Sequence, residues 1–221
     1  MCGLRYKGRC KLVTLVLNSP WIDRDLLRSL ARKSTLIAVD GGLNHVHSAG
    51  ILPDWVLGDF DSVDPEFLAE ISGKTRIMRL PREKDFTDME LALKLAVIYR
   101  PSRINILGIG GGSRLDHQVT NSIMLSNLAR TGVEIIAWGG PQEMFFTSAT
   151  RILSSSRGRY FSVLALSGPA VVKIRGAKFS GPGIVLYPGS GFGLGNEISR
   201  RRAVISVESG VVCISQWKVE T

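Results

Sequence analysis

Lysine and arginine are missing from one stretch of a chain that is otherwise basic. The 221 residues carry 28 Lys and Arg against 19 Asp and Glu, a formal charge of +9, yet none of the 28 falls between Gly41 and Gly73. Seven carboxylates lie between Asp40 and Gly73 instead. Carboxylates gathered without basic partners repel one another, and the usual physical reason to tolerate that is a hard divalent cation with oxygen ligands, Mg²⁺ or Ca²⁺.

Cysteine is scarce. Cys2, Cys10 and Cys213 are too few, odd in number and too scattered for a disulfide framework or a zinc site, which points to a reducing compartment. No apolar run approaches the ~20 residues of a membrane span. The basic start Met1 to Lys11 is not followed by an apolar segment with a small-residue cleavage site, so a cytoplasmic protein with no membrane partner is expected. Histidine is limited to His45, His47 and His117. None has the spacing of a metal cluster, and His117, beside Asp116, is the candidate proton carrier. Internal repeats and low-complexity segments are absent.

The positive charge sits at the two ends: residues 1 to 39 sum to +6, 40 to 73 to −7, 74 to 150 to +3 and 151 to 221 to +7. Such a balance can signal nucleic acid. The densest run, Arg200-Arg201-Arg202, precedes the alternating Ala203 to Val207 and reads as the solvated entry to a strand. No aromatic-basic RNA motif accompanies it, so nucleic acid is not an expected partner, whereas anionic nucleotides are.

In chain order, Lys11 to Asn18 is a short β-branched and Leu run that reads as a buried strand. A helix over Asp23 to Lys33 and a strand over Thr35 to Val39 follow, and the strand ends on Asp40-Gly41-Gly42. Asn44 to Ala49 make a short helix. Trp55 to Leu57 is a third strand that delivers Gly58-Asp59-Phe60-Asp61. Asp64-Pro65 reads as an N-cap and first helical residue, and that helix stops at Gly73. Arg76 to Leu80 is the fourth strand. Thr87-x-x-Glu90 is a capping box opening a helix with Met89, Ala92, Leu93, Ala96 and Val97 on one face. Arg103 to Leu107, a glycine-rich turn from Gly108, an apolar helix to about Arg130 and a strand over Val133 to Trp138 complete the pattern.

That alternation predicts an α/β fold: a doubly wound, mostly parallel sheet with its site at the carboxyl ends of the strands. After about Thr147 the helices stop. Tyr160–Leu166, Val171–Ile174, Gly183–Tyr187, Arg202–Val207 and Val211–Gln216 predict a small all-β antiparallel sandwich or barrel. The expected domains are 1–147 and 148–221, with Gly139-Gly140-Pro141 and Ser154-Ser155-Ser156 as candidate linkers.

Asp59-x-Asp61 in a turn suits two oxygens on one metal ion, although such a pair alone is commonly a turn feature. Asp40, Asp85 and Asp88 strengthen it, because ends of parallel strands and starts of the following helices share one sheet edge. Asp88 could also simply serve the helix dipole. The glycine loop is neither a Walker A loop, having no Lys-Ser or Lys-Thr, nor a dinucleotide fingerprint, since Ser113 holds the third glycine position. Its backbone N–H groups can still wrap phosphate oxygens, with Arg114 and Lys84 as counter-charges. Carboxylates on one side and an Arg-bearing glycine loop on the other suggest phosphoryl or pyrophosphoryl transfer.

Asp-Gly-Gly-Leu-Asn-His (40 to 45), Pro-Asp-x-x-x-Gly-Asp-Phe-Asp-Ser (53 to 62), Lys-Asp-Phe-Thr-Asp-Met-Glu (84 to 90), Gly-Gly-x-Arg-Leu-Asp-His (111 to 117) with Asn121, and Gly-Leu-Gly-Asn-Glu (193 to 197) occur in this order. The set resembles thiamin pyrophosphokinases over nearly the whole chain. The resemblance implies Mg²⁺-dependent transfer of pyrophosphate from ATP to the hydroxyethyl group of thiamin, giving thiamin diphosphate and AMP. It also implies an amino-terminal domain that handles ATP, a carboxyl-terminal β domain that helps hold thiamin, and a homodimer with sites at the interface. By position, Asp59, Asp61 and Asp88 would serve metal and phosphates as catalytic residues, with Arg114 and Asp116 lining the same site. Asp40, Asn44, Lys84, Asp85, Thr87, Gly110, Gly111, Gly112, Gly195 and Asn196 would contact substrates, Asn196 on the thiamin side.

Two departures stand out. The family usually has Ser where this chain has Gly195, which bears on acceptor preference, and the glycine loop is one residue longer, with Ser113 before Arg114. The competing readings are pyrophosphoryl transfer to another small alcohol and a non-catalytic nucleotide- or RNA-binding protein on the same fold.

Overall fold

The computed structural model describes residues 12–112, 114–156 and 159–217. Cys2, Cys10, the basic start through Lys11 and Ser113 lie outside the described residues. The chain divides into two compact units, one within residues 1–112 and one within 113–221.

The first unit alternates strand and helix: β1 Leu12–Val16, α1 Arg24–Ala31, β2 Thr35–Val39, α2 Gly42–Ser48, β3 Trp55–Gly58, α3 Pro65–Ile71, β4 Arg76–Arg79, α4 Asp88–Ile98 and β5 Arg103–Leu107. Its strands lie in the order β5-β1-β2-β3-β4, each adjacent pair parallel. β1, β2 and β5 are buried beyond their first residue, as expected of strands covered on both faces. β4 is the outer strand of this unit and is exposed throughout, with Arg76 over the Trp55 ring and Arg79 over the Phe60 ring.

Local chemistry sets the helix starts. Asp64 caps α3 by accepting from Glu66 N, with Pro65 at the first position, and Thr87 caps α4 by accepting from Glu90 N. Each such cap contributes about 1 kcal/mol. α4 buries Met89, Ala92, Leu93, Leu95 and Ala96, whereas Val97, expected on that face, is 41% exposed.

The second unit begins with α5, Leu115–Ala129, and continues with β6 Glu134–Gly139, β7 Gln142–Thr147, β8 Arg151–Ser154, β9 Tyr160–Leu164, β10 Ala170–Arg175, β11 Gly181–Leu186, β12 Asn196–Glu197, β13 Arg202–Ser209 and β14 Val212–Trp217. One layer has the order β12-β9-β14-β7-β6 and the other β11-β10-β13-β8, all neighbours antiparallel. Phe145, Phe161, Val163 and Ile214 from the first layer pack with Leu153, Val172, Ile174 and Ile205 from the second in one core, which makes a sandwich.

The segment expected to hold linkers is folded. Gly139 pairs with Gln142, so Gly140-Pro141 is a two-residue hairpin turn between β6 and β7, with Gly140 at φ 62°. Ser154 ends β8 and pairs with Arg202 of β13. No helix among the described residues is long and apolar enough to cross a membrane.

Candidate active site

In the first unit, the chain places its carboxylates where β2 and β3 end. Asp40 follows β2 in the left-handed region at φ 48°, and its N–H donates to Leu57 O at 2.7 Å, fixing it beside the end of β3. Gly58 sits at φ 154°, and a Cβ there would come within 2.9 Å of Asp40 Cα. Gly42, at the start of α2, is pressed against the Val16 carbonyl, so any side chain would strike backbone. These two glycines let three strand ends converge.

Phe60 carries the turn between the two other carboxylates. It is buried, at φ 65°, and Asp61 N donates back to Asp59 Oδ1 at 3.1 Å. Left-handed backbone at a non-glycine residue costs on the order of 1–3 kcal/mol and gathers at functional sites. Asp40 and Phe60 both carry it here, on the two sides of one acidic group. Among the described residues, Asp40, Asp59 and Asp61 form a group of three, each offering one carboxylate oxygen within 4.8 Å of the other two.

The surroundings of that group leave acceptors over. Ser62 Oγ donates to Asp40 Oδ2 at 2.8 Å, while Asp40 Oδ1 is buried with no hydrogen-bond partner. Three carboxylates offer oxygen alone, the donor set of a hard cation, and the orphaned Asp40 oxygen is the atom such an ion would satisfy. The residues present therefore fit Mg²⁺. Arg82 Nη2 contacts Asp61 Oδ2 at 3.1 Å. Asn44 braces the loop: its Nδ2 donates to Ser62 O at 2.9 Å and its Oδ1 accepts from Asp64 N at 3.5 Å.

The loop from β4 to α4 holds the next residues. Asp88, first in α4, has its Oδ1 buried, 3.2 Å from Lys84 Nζ but without an aligned hydrogen bond. Lys84 also donates to Pro81 O at 3.0 Å, so its ammonium is occupied within the loop. Asp88 is not among the three clustered carboxylates. Thr87 spends its hydroxyl on the helix cap, and Asp85 is exposed.

Beyond β5, the glycine loop packs on the segment after β1. Ser19 Oγ donates to Gly110 O at 2.6 Å, and a Cβ on Gly111, at φ 88°, would touch Ser19, Pro20 and Trp21 at 3.4 Å. Gly112 is exposed.

In the second unit, Arg114 and Asp116 form a two-point pair, Nε to Oδ1 at 3.0 Å and Nη2 to Oδ2 at 2.6 Å. The guanidinium bonds hold the Asp116 carboxyl down at about 2, and the carboxylate in turn raises the Arg114 pKa. Asn196 is buried and bonded through both polar atoms: Oδ1 accepts from Phe179 N and Glu197 N, and Nδ2 donates to Phe179 O. Gly195, at φ 69°, donates its N–H to Ser162 Oγ at 3.1 Å, and the space its Cβ would occupy is open.

The histidines divide in role. His47 stacks on Phe67 at 3.6 Å and pairs with Glu70 at 2.8 Å, a structural use that lowers the Glu70 pKa. His45 is held below its ordinary pKa by burial and by Arg24. His117 is exposed near the start of α5. Sequence reasoning had no role for Ser62 or Arg82. Ser62 stands inside the quoted 53–62 motif, and Arg82 is a basic residue in the same loop as Lys84, which were the available signals.

Comparison with known proteins bears on the family and the fold. The family profile described as thiamin pyrophosphokinase, catalytic domain, matches residues 26–137. A curated thiamine pyrophosphokinase of Bacillus subtilis is 30% identical over 180 residues, spanning 80% of this chain and 84% of the relative. The crystal structure of thiamine pyrophosphokinase from Bacillus subtilis is similar with a TM-score of 0.83 at 25% identity, over 95% of this chain and 100% of that one. That of thiamin pyrophosphokinase from Geobacillus thermodenitrificans gives 0.80 at 23% identity, over 95% and 99%, a likeness of fold. With the family profile matched over half its length and a relative at this identity over most of both chains, the protein belongs to the thiamin pyrophosphokinase family of enzymes.

Proposed function

We propose that this enzyme transfers the pyrophosphoryl group of ATP to the hydroxyethyl group of thiamin in a Mg²⁺-dependent reaction, giving thiamin diphosphate and AMP. The observation that carries the reading is the Asp40, Asp59 and Asp61 group with its unpartnered buried oxygen. These three residues would hold Mg²⁺, with Asp88 as the fourth carboxylate that the motif set assigns to metal and phosphates. Bound there, the ion would supply positive charge against the polyphosphate.

The chain's own residues do the remainder. Arg114, oriented by Asp116 through Nε and Nη2, keeps its Nη1 donors for anionic oxygens. The Gly110 to Gly112 loop offers backbone N–H groups to phosphate. The thiamin hydroxyl oxygen attacks the β-phosphorus in line, a new O–P bond forms, the bridge to the α-phosphate breaks, and AMP leaves with the bridging oxygen. The hydroxyl proton passes to solvent. Rate enhancement comes from positioning and charge neutralisation rather than from covalent chemistry by the protein.

We assign ATP to the domain of residues 1–147 and thiamin in part to residues 148–221. The working unit we propose is a homodimer in the cytoplasm, with sites at the interface. An apolar groove of about 590 Å³ in the second unit, lined by Val119 and Ile123 of α5 and by Met144, Leu164 and Trp217 of the sheet, supports burial against a second copy. The sparse cysteines suit a reducing compartment.

Incubation with ATP, Mg²⁺ and thiamin should yield AMP and thiamin diphosphate in equal amounts, and failure to do so sinks the claim. A different small alcohol as acceptor is the second reading, prompted by the open space at Gly195. Comparing acceptors by kcat/KM separates the two.

A further inference from the structure

The loop between β4 and α4 carries two basic side chains, and each rests on a carboxylate of the candidate site in a different manner. Lys84 is 13% exposed, and its ammonium is tied both to Asp88 and to the Pro81 carbonyl. Arg82 is 81% exposed and reaches Asp61, itself 50% exposed, by one contact from Nη2 rather than a fork. Lys84 is thus fixed within the loop, while Arg82 is bound at a single point at the solvent edge of the acidic group. An exposed single-point pair is held weakly and released readily. Arginine stays charged at every working pH, so Arg82 offsets part of the repulsion among Asp40, Asp59 and Asp61 whenever no cation is present.

Resting on the proposed Mg²⁺–ATP reading, we infer that Arg82 is an exchangeable counter-ion. It occupies Asp61 in the cation-free protein and leaves it for the nucleotide's polyphosphate when the divalent cation enters. A cation held by the three carboxylates repels a guanidinium seated on one of them, whereas a polyphosphate arriving with that cation attracts it, and arginine pairs with phosphate in two-point fashion. Arg82 is therefore a positioning residue that couples filling of the cation site to closure of the 81–87 loop on the nucleotide.

The test measures cation binding directly, by calorimetry with Mg²⁺ and by electron paramagnetic resonance with Mn²⁺, on full-length wild type, Arg82→Ala, Arg82→Lys and Arg79→Ala. Arg79 lies over the neighbouring Phe60 ring and removes the same charge without touching a clustered carboxylate in this way. Without nucleotide, Arg82→Ala should bind the cation about two- to fivefold more tightly. With cation present, its ATP dissociation constant should rise about tenfold, and Arg82→Lys should recover part of that loss. Equal cation affinity in wild type and Arg82→Ala overturns the exchange alone, as does equal tightening in Arg79→Ala. No cation binding by the wild type overturns the reading of the acidic group, and the exchange with it.

Discussion

Ser62 Oγ donates a 2.8 Å hydrogen bond to Oδ2 of Asp40, a residue 22 positions earlier, and leaves Oδ1 buried with no partner of its own. One oxygen of Asp40 is thereby aimed and the other reserved. Removing the hydroxyl should loosen the carboxylate without unfolding the loop, because Asn44 still braces Ser62 through its backbone carbonyl. Hydrogen bonds to charged groups are worth about 1.5–3 kcal/mol. Ser62→Ala should therefore lower kcat/KM for ATP about ten- to a hundredfold and raise the Mg²⁺ concentration needed for half-maximal rate. Asp40→Asn, which tolerates the left-handed backbone, should lose far more activity with little change in Tm.

The acidic group should be stabilised by neutralisation and inactivated by it. Like charges this close cost about 1–3 kcal/mol per pair between the dielectric of water and that of a protein surface. In Asp59→Asn the amide oxygen can still accept from Asp61 N, so the turn survives. Thermal unfolding without Mg²⁺ should show Tm unchanged or raised by about 2–5 °C. Adding Mg²⁺ should raise the wild-type Tm and not that of the variant, and AMP formation should disappear. A lowered Tm in the variant argues against repulsion as the local cost of this site.

Much of this arrangement was legible where its cause is local. The caps at Asp64 and Thr87 follow from one side chain and the N–H two or three residues on. The strand-helix alternation follows from short apolar runs broken by Gly and Asp. Asp40 was legible as a carboxylate on the same sheet edge as Asp59 and Asp61, but not as the third member of the group in place of Asp88. Its place depends on β2 and β3 being neighbours that end level with each other, which the Asp40 N–H to Leu57 O bond fixes and no local pattern records. Gly139-Gly140-Pro141 looked like a linker because glycine and proline mark turns of every kind. That it is a hairpin depends on Met144 to Phe146 pairing with Ile135 to Ala137. Lys84 and Asp88 stand four residues apart, a spacing that suits the ion pair they form.

Arg114 and Asp116 give a pH prediction. The Asp116 carboxyl is held at about 2, below its ordinary 3.8, chiefly by the guanidinium hydrogen bonds. A depressed carboxyl stabilises the fold above its unfolded value, and that contribution is lost as pH falls from near 4 through about 2. Carboxyl NMR titration should find Asp116 near 2 in the wild type and back toward 3.8 in Arg114→Ala. Lysine cannot reproduce the two-point pair, so Arg114→Lys should lose about a hundredfold in kcat/KM, in the range of a lost charge-stabilising donor.

Asn196 separates holding a substrate from holding the chain. Every polar atom of its side chain is spent: Oδ1 on Phe179 N at 3.0 Å and Glu197 N at 2.8 Å, Nδ2 on Phe179 O at 2.8 Å. It ties β12 to the turn at Phe179, and the Gly195 N–H beside it is taken by Ser162. Asn196→Ala removes the side-chain partner of three part-buried backbone groups, at a cost of about 1–3 kcal/mol. That loss should appear in denaturant unfolding as a lower midpoint. The KM for thiamin in the surviving folded fraction should change less than threefold. Asn196→Asp keeps the acceptor for the two N–H groups but loses the donor to Phe179 O, and should fall between the two in stability. A large rise in the thiamin KM with an unchanged unfolding midpoint would instead make Asn196 a direct ligand of the acceptor.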